Sequence, residues 1–339
     1  MKYVFTPSLV AFTLAIGFSG GLSSALAQTT SLTVYSAQHP QVDAMLAAEF
    51  TKETGIKVLL HEGEGPDVAN QLIQEGADSP ADVFFTENSP ELNLLDEKGL
   101  LAPLDPATLK LVPAQYSAAD GDWLGVLARE NVLAYNPSKI SAADLPVHLL
   151  DLAKPEWKGK IGIAPSDSDF LPLVSAVIKQ DGTAVALAWL KGLKANAVIY
   201  DDDEGAVAAV ARGDVATAII NNYYWDRLDT ELGPKKIDSK IYHFKNGDTG
   251  GLINVSGAAV LKSSKNQAEA QKFVAFLDSE AAQKLLGASD IDYEYPLRPG
   301  VAPNAKLTPF KDLTPPNIDV SKLGDDQEAG QLLQQAGLI

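Results

Sequence analysis

The run Val215-Ala216-Thr217-Ala218-Ile219-Ile220 is apolar at almost every position and stops at Asn221-Asn222. A half-buried strand alternates apolar with polar residues. This one does not, so it must be covered on both faces, as the strands of a parallel sheet are. The asparagines mark its end, because Asn tolerates left-handed backbone and competes with the ladder for hydrogen bonds. Open α/β sheets bind ligands beyond the carboxyl ends of their strands, and Tyr223 and Tyr224 follow at that end. On the residues alone, two readings of the pair stand. One ring packs in the core while the other keeps its hydroxyl wet, or both phenols ligate a metal. A phenol ionises near pH ~10, but a trivalent cation drives the proton off, as metals ionise bound thiols and water. The resulting phenolate is a hard anionic donor suited to Fe(III).

The rest of the chain alternates in the same manner. Strands are expected over 32–36, 56–60 and 81–85, and helices over 41–54 and 68–75, stopped by Gly55 and Gly76. That series is a right-handed α/β unit. A second series has strands over 161–164, 197–200 and 215–220, with helices over 170–178, 184–193 and 205–211. Residues 123–137 run from the first series to the second, 253–260 return, and one helical pattern spans 266–286. The predicted fold is therefore α/β, a two-lobe clamshell. Each lobe is a mixed, mostly parallel sheet flanked by helices, and crossing hinge strands let the lobes close on a ligand. The first lobe is expected to comprise 28–129 plus about 252–304, the second 130–251 plus about 305–339.

Residues 1–27 read as a secretory signal peptide: Lys2, a mostly apolar stretch over 9–26, then Ala25-Leu26-Ala27 before Gln28. An uncleaved membrane anchor is the competing reading. No other stretch approaches ~18 uninterrupted apolar residues, so the mature chain is expected to be soluble. The absence of cysteine excludes disulfides, a lipid-bearing cysteine and thiolate chemistry. A formal charge of −17 disfavours nucleic acid and anionic lipid. It suits a cation, though it also serves solubility. No His-Glu-x-x-His, nucleophile-elbow or Ser-x-x-Lys pattern occurs, and the four histidines are scattered. The chain is therefore not expected to be an enzyme.

Four stretches carry a resemblance: Val34-Tyr35-Ser36-Ala37-Gln38-His39, Asp82-Val83-Phe84-Phe85-Thr86-Glu87, Asn221-Asn222-Tyr223-Tyr224-Trp225 and Ser256-Gly257-Ala258-Ala259-Val260-Leu261-Lys262. In this order they resemble the bacterial periplasmic ferric-ion-binding proteins, the soluble receptors of iron(III) ABC importers. The likeness runs from about Leu32 to the end of the chain. It implies a metal site of His39 and Glu87 from the first lobe with Tyr223 and Tyr224 from the second. It also implies capture of Fe(III) in the interlobe cleft and delivery to an inner-membrane permease and its ATPase by a monomeric periplasmic protein. Without the resemblance, His39 could be a solvated loop residue before Pro40, and Glu87 could cap the helix starting near Ser89. The resemblance turns Arg129 toward the cleft; a surface ion pair is its other reading. Two phenolates and Glu87 would balance the three charges of Fe(III), leaving His39 neutral. The alternative is a receptor for an organic cation such as a polyamine or thiamine, with the tyrosines in an aromatic cage. Such a cage has no need of His39 and Glu87.

In one place the chain departs from the family. Many members hold a synergistic anion, phosphate for example, in a Ser/Gly-rich turn and on asparagines. The matching turn here is Pro165-Ser166-Asp167-Ser168-Asp169, the second amide position falls on Asp203, and only Asn221 is retained. An ionised carboxylate offers no donor and repels an anion. These aspartates are then either helix caps or, with Asp167 as the candidate, a substitute for the anion itself. Whether a separate anion is needed stays open.

Overall fold

The computed structural model describes Met1, residues 31–233 and residues 237–339. The signal segment expected over 1–27 lies, Met1 apart, outside the described residues. Three strands and three helices alternate first: β1 Ser31–Ala37, α1 Pro40–Thr54, β2 Lys57–Glu62, α2 Gly65–Glu75, β3 Val83–Thr86 and α3 Ser89–Glu97. α1 ends where Gly55 takes a left-handed conformation and its N–H reaches Thr51 O. β2, β1 and β3 are parallel neighbours in that order.

After the short β4 (Leu101–Ala102) comes β5, Trp123–Tyr135, buried at every position. β5 belongs to both halves of the molecule. Residues 123–130 pair antiparallel with the returning strand over Ile253–Leu261, and residues 131–135 pair antiparallel with the second half. That half contains β6 Ile161–Ile163, α4 Phe170–Asp181, α5 Thr183–Asn196, β7 Val198–Ile199, α6 Asp203–Arg212, β8 Thr217–Asn221, α7 Asn222–Leu232 and β9 Lys240–Tyr242. β8 lies between β6, parallel to it, and β5, antiparallel to it. The unalternating apolar run now has its explanation. Ile220 packs with Val132, Ala206 and Val210 on one face, and Ile219 with Leu133, Leu173 and Trp189 on the other.

β10 (Ile253–Leu261) brings the chain back beside β3 and β5. The single helix expected over 266–286 is two, α8 Gln267–Leu277 and α9 Glu280–Gly287. The break comes from Ser279, whose Oγ accepts the Ala282 N–H at 3.1 Å and caps a new helix. β11 (Tyr295–Pro296) adds to β5, and α10 (Gln327–Ala336) closes the chain. Leu307, Leu313 and Val320 pack into the core built around β1, β3 and β10, whereas Leu323, Leu332 and Leu333 join the core around α4 and α5.

Candidate metal centre in the cleft

The carboxyl ends of β1, β3 and β8 converge. His39 follows β1 as the residue preceding α1, Glu87 directly follows β3, and Tyr223 and Tyr224 occupy the first turn of α7 after β8. The alternating topology thus carries residues distant in sequence to one cleft. Tyr223 and Tyr224 lie with ring centroids 4.2 Å apart. Tyr223 is fully buried and Tyr224 half-buried. The Tyr223 hydroxyl lies 3.5 Å from Glu87 Oε2, and His39 Nδ1 lies 3.4 Å from Glu87 Oε1. The edge of the His39 ring meets Tyr223 with centroids 5.2 Å apart. The α3 helix has no side-chain cap, so the Glu87 carboxylate faces the phenol and imidazole instead.

Asp169 is the carboxylate that reaches both phenols. Its Oδ2 accepts from the Tyr223 hydroxyl at 2.5 Å and from the Tyr224 hydroxyl at 3.2 Å. Its Oδ1 accepts from Asn88 Nδ2 at 3.2 Å and lies 3.5 Å from Arg129 Nη2. Asp167 is engaged elsewhere. Its two oxygens accept the backbone N–H of Asp169 and of Asp203, each at 3.1 Å, and so tie the turn before α4 to the start of α6. Asp203 in turn accepts the Asn221 N–H at 3.2 Å. The helix-capping role falls to Asp202, whose side chain accepts the Gly205 N–H.

Arg129 makes no surface ion pair. It is fully buried on β5, donates to Asn88 Oδ1 and faces Glu294 Oε1 at 3.5 Å besides Asp169. Sequence reasoning also missed Asn222. Its Oδ1 accepts the Glu130 N–H at 2.9 Å and its Nδ2 donates to Tyr293 O at 3.0 Å, locking the start of α7 to the crossing strand. Asp169 was visible only as the second carboxylate of an Asp-x-Asp turn. Which of the two faces the cleft depends on turn geometry. Asn88, Arg227, Asp292 and Glu294 left no motif at all.

The electrostatics follow from burial. Burial, then the charge of Asp169, pushes the Tyr223 and Tyr224 hydroxyls well above the ordinary phenol range. Burial would raise Asp169 as well, but the Arg129 guanidinium overrides it and holds the carboxyl below its usual value. Burial pushes Glu87 up to about 7. Burial alone would lower His39, but Glu87 and Asp292 outweigh it and raise the imidazole to about 9. A cavity of about 690 Å³ opens from Tyr224 to solvent. It is lined by His39, Glu87 and Glu64 from one half and Asp167, Glu204, Tyr224 and Arg227 from the other. The open mouth is wide enough for a hydrated ion, and the inner donors, two phenols, two carboxylates and an imidazole, suit a hard trivalent cation.

Three comparisons bear on this site. Residues 45–314 match the family described as bacterial extracellular solute-binding protein. The chain is 41% identical to the Fe(3+)-binding periplasmic protein of Serratia marcescens, over 98% of this chain and 97% of the relative. It is 40% identical to the major ferric iron-binding protein of a serogroup A Neisseria meningitidis strain, over 94% of this chain and 97% of that one. The fold is similar to iron-bound HitA from Pseudomonas aeruginosa, with a TM-score of 0.87 and 45% identity. That match covers 91% of this chain and 99% of HitA.

Proposed function

We propose, from the premise that this chain belongs to the bacterial extracellular solute-binding protein family and to its periplasmic ferric-iron-binding members, that it is the receptor of an iron(III) importer. It captures Fe(III) in the cleft and hands it to an inner-membrane ABC permease driven by an ATPase. It acts in the periplasm as a monomer, after removal of residues 1–27, and catalyses no reaction. The lobes comprise 28–129 with about 252–320, and 130–251 with the segment after it, so the last return to the second lobe falls later than the position near 305 expected from the sequence. We assign the last crossover to Val320–Leu323, because Leu307, Leu313 and Val320 pack with the first core and Leu323 with the second.

The observation that carries this reading is the meeting of Tyr223, Tyr224, Glu87 and His39, from both halves, at one face of the cleft. We assign the metal to these four. Two phenolates and one carboxylate neutralise Fe(III), and the imidazole adds a neutral donor. Asp169 and Arg129 form a neutral pair behind them. Asp169 takes up the hydrogen-bonding role that a separate anion would otherwise fill, and it accepts a hydrogen bond from each phenol until the cation displaces their protons. The buried phenols stay protonated without a strong cation. Fe(III) binding therefore releases protons, and Fe(II), with one charge fewer, binds more weakly. An organic cation is the less favoured occupant: the relatives are ferric-binding proteins, and Tyr223 has no exposed face to offer a cage.

The test is a visible titration of the purified mature protein with Fe(III), with and without phosphate or carbonate, beside the Tyr223→Phe/Tyr224→Phe variant. A saturable one-to-one phenolate charge-transfer band, absent from the variant and indifferent to the anion, is expected. A folded wild-type protein that develops no band refutes the ferric reading.

A further inference from the structure

The loop between α9 and β11 sends a carboxylate to the back of the cleft that the ligand set does not use. Asp292 is buried, both of its oxygens lack a hydrogen-bond partner among the described residues, and its Oδ1 lies 3.7 Å from His39 Nδ1. His39 Nδ1 is itself buried and unpartnered. A buried carboxylate without a partner is costly, so two such atoms facing each other across less than 4 Å form a contact poised to close. The other ring nitrogen is accounted for. His39 Nε2 lies 3.3 Å from Arg227 Nη1, while Arg227 Nη2 is held by Glu204 Oε1 at 3.2 Å. A metal-binding imidazole is neutral and a guanidinium only donates, so in that form Nε2 is the acceptor and the single ring proton belongs on Nδ1. There it faces two acceptors, Glu87 at 3.4 Å and Asp292 at 3.7 Å.

We propose that Asp292 is the positioning residue for His39: it takes the Nδ1–H, fixes the tautomer and turns Nε2 toward the metal. When Glu87 is drawn onto the cation, Asp292 is left as the acceptor for Nδ1, and Arg227 must withdraw from Nε2 toward Glu204. An imidazole whose other nitrogen is held by a carboxylate is a more basic and better oriented ligand. The inference rests on the ferric reading above, with His39 as a ligand.

The experiment uses the mature chain, with Asp292→Asn made both in the wild-type background and in a His39→Gln background. Fe(III) affinity is read by competition with a chelator, and the phenolate band is followed throughout. Asp292→Asn is expected to weaken Fe(III) binding by ~10- to 100-fold with the band retained, and to cost nothing further once His39 is Gln. No loss in the wild-type background, or an equal loss in both, overturns the proposal. A second measurement needs no variant. Nitrogen NMR of the Ga(III)-loaded, ¹⁵N-histidine-labelled protein is expected to show Nδ1 protonated and Nε2 on the metal, and metal on Nδ1 overturns the assignment. A wild-type protein without the phenolate band refutes the ferric reading itself, a separate failure from either of these.

Discussion

Asp169→Asn keeps the shape of the side chain and removes its charge, and the structure sets the cost. Arg129 is fully buried, with Asn88 Oδ1, Asp169 Oδ1 and Glu294 Oε1 as its acceptors. Removing one partner of a buried ion pair costs about 3–5 kcal/mol, because the other charge is left uncompensated. The low end applies here. Burial and the charge of Asp292 hold the Glu294 carboxyl well above its usual range, so it is a reserve of negative charge that can ionise against Arg129. The iron-free variant should therefore lose about 3 kcal/mol, a large part of a typical total of 5–15 kcal/mol. At an m-value of about 3 kcal/mol/M this is a urea midpoint lower by about 1 M. Iron binding should weaken as well, since Arg129 would then oppose the incoming cation. A lost charge-assisted hydrogen bond of about 1.5–3 kcal/mol corresponds to roughly 10- to 100-fold. The assay is urea unfolding of the iron-free protein followed by far-UV circular dichroism, for Asp169→Asn, Arg129→Met and the double variant. The double variant should be more stable than the sum of the single losses predicts, because it leaves no orphan charge. An Asp169→Asn midpoint equal to wild type, or strictly additive losses, would refute the reasoning.

Stability of the iron-free protein should fall as pH rises from about 5 to 8. Burial raises Glu87, Asp43, Asp226 and Asp326 each to about 7. A raised carboxyl stabilises fully below its unfolded value and loses that contribution as pH climbs through the folded one. His39, raised to about 9, acts in the same direction above its unfolded value. Asp169, lowered by Arg129, acts in the opposite one and matters only toward strong acid. Thermal melts across this range check the sign, and Fe(III) affinity should run the other way, weakening as protons compete for the phenolates. Asp167→Ala strips the backbone N–H groups of Asp169 and Asp203 of their acceptor. It should cost about 1–3 kcal/mol while keeping the phenolate band, as chemical denaturation and an iron titration would show. Gly192→Ala would place a Cβ 2.5 Å from Ala153 Cβ and 2.7 Å from its carbonyl oxygen. A loss of about 1–3 kcal/mol without change in iron binding is expected from the same two measurements.

Much of the fold was written in periodicity. Val215–Ile220 demanded cover on both faces, and Ile219 and Ile220 bury into opposite cores. Apolar spacing and glycine punctuation located α1, α2 and α6 to within a few residues. The split of the 266–286 helix was legible too, in Asp278-Ser279, but the apolar spacing on either side masked the cap.

The sequence by itself determined an α/β clamshell, because strand ends in such sheets are where ligands bind, and its Tyr pair with a matching His and Glu carried the family resemblance that proposes the donors. Only the tertiary structure decided which carboxylate reaches the phenols. Asp167 and Asp169 are two residues apart, and the turn before α4 spends Asp167 on backbone N–H groups while aiming Asp169 at Tyr223 and Tyr224. It also decided that Arg129 is a buried counter-charge, and that Asp292 and Glu294 back the site. These contacts join segments distant in sequence, 40 residues for Arg129 and Asp169 and 165 for Arg129 and Glu294. Their energies depend on burial and on distances of a few ångströms, and one-dimensional spacing encodes neither.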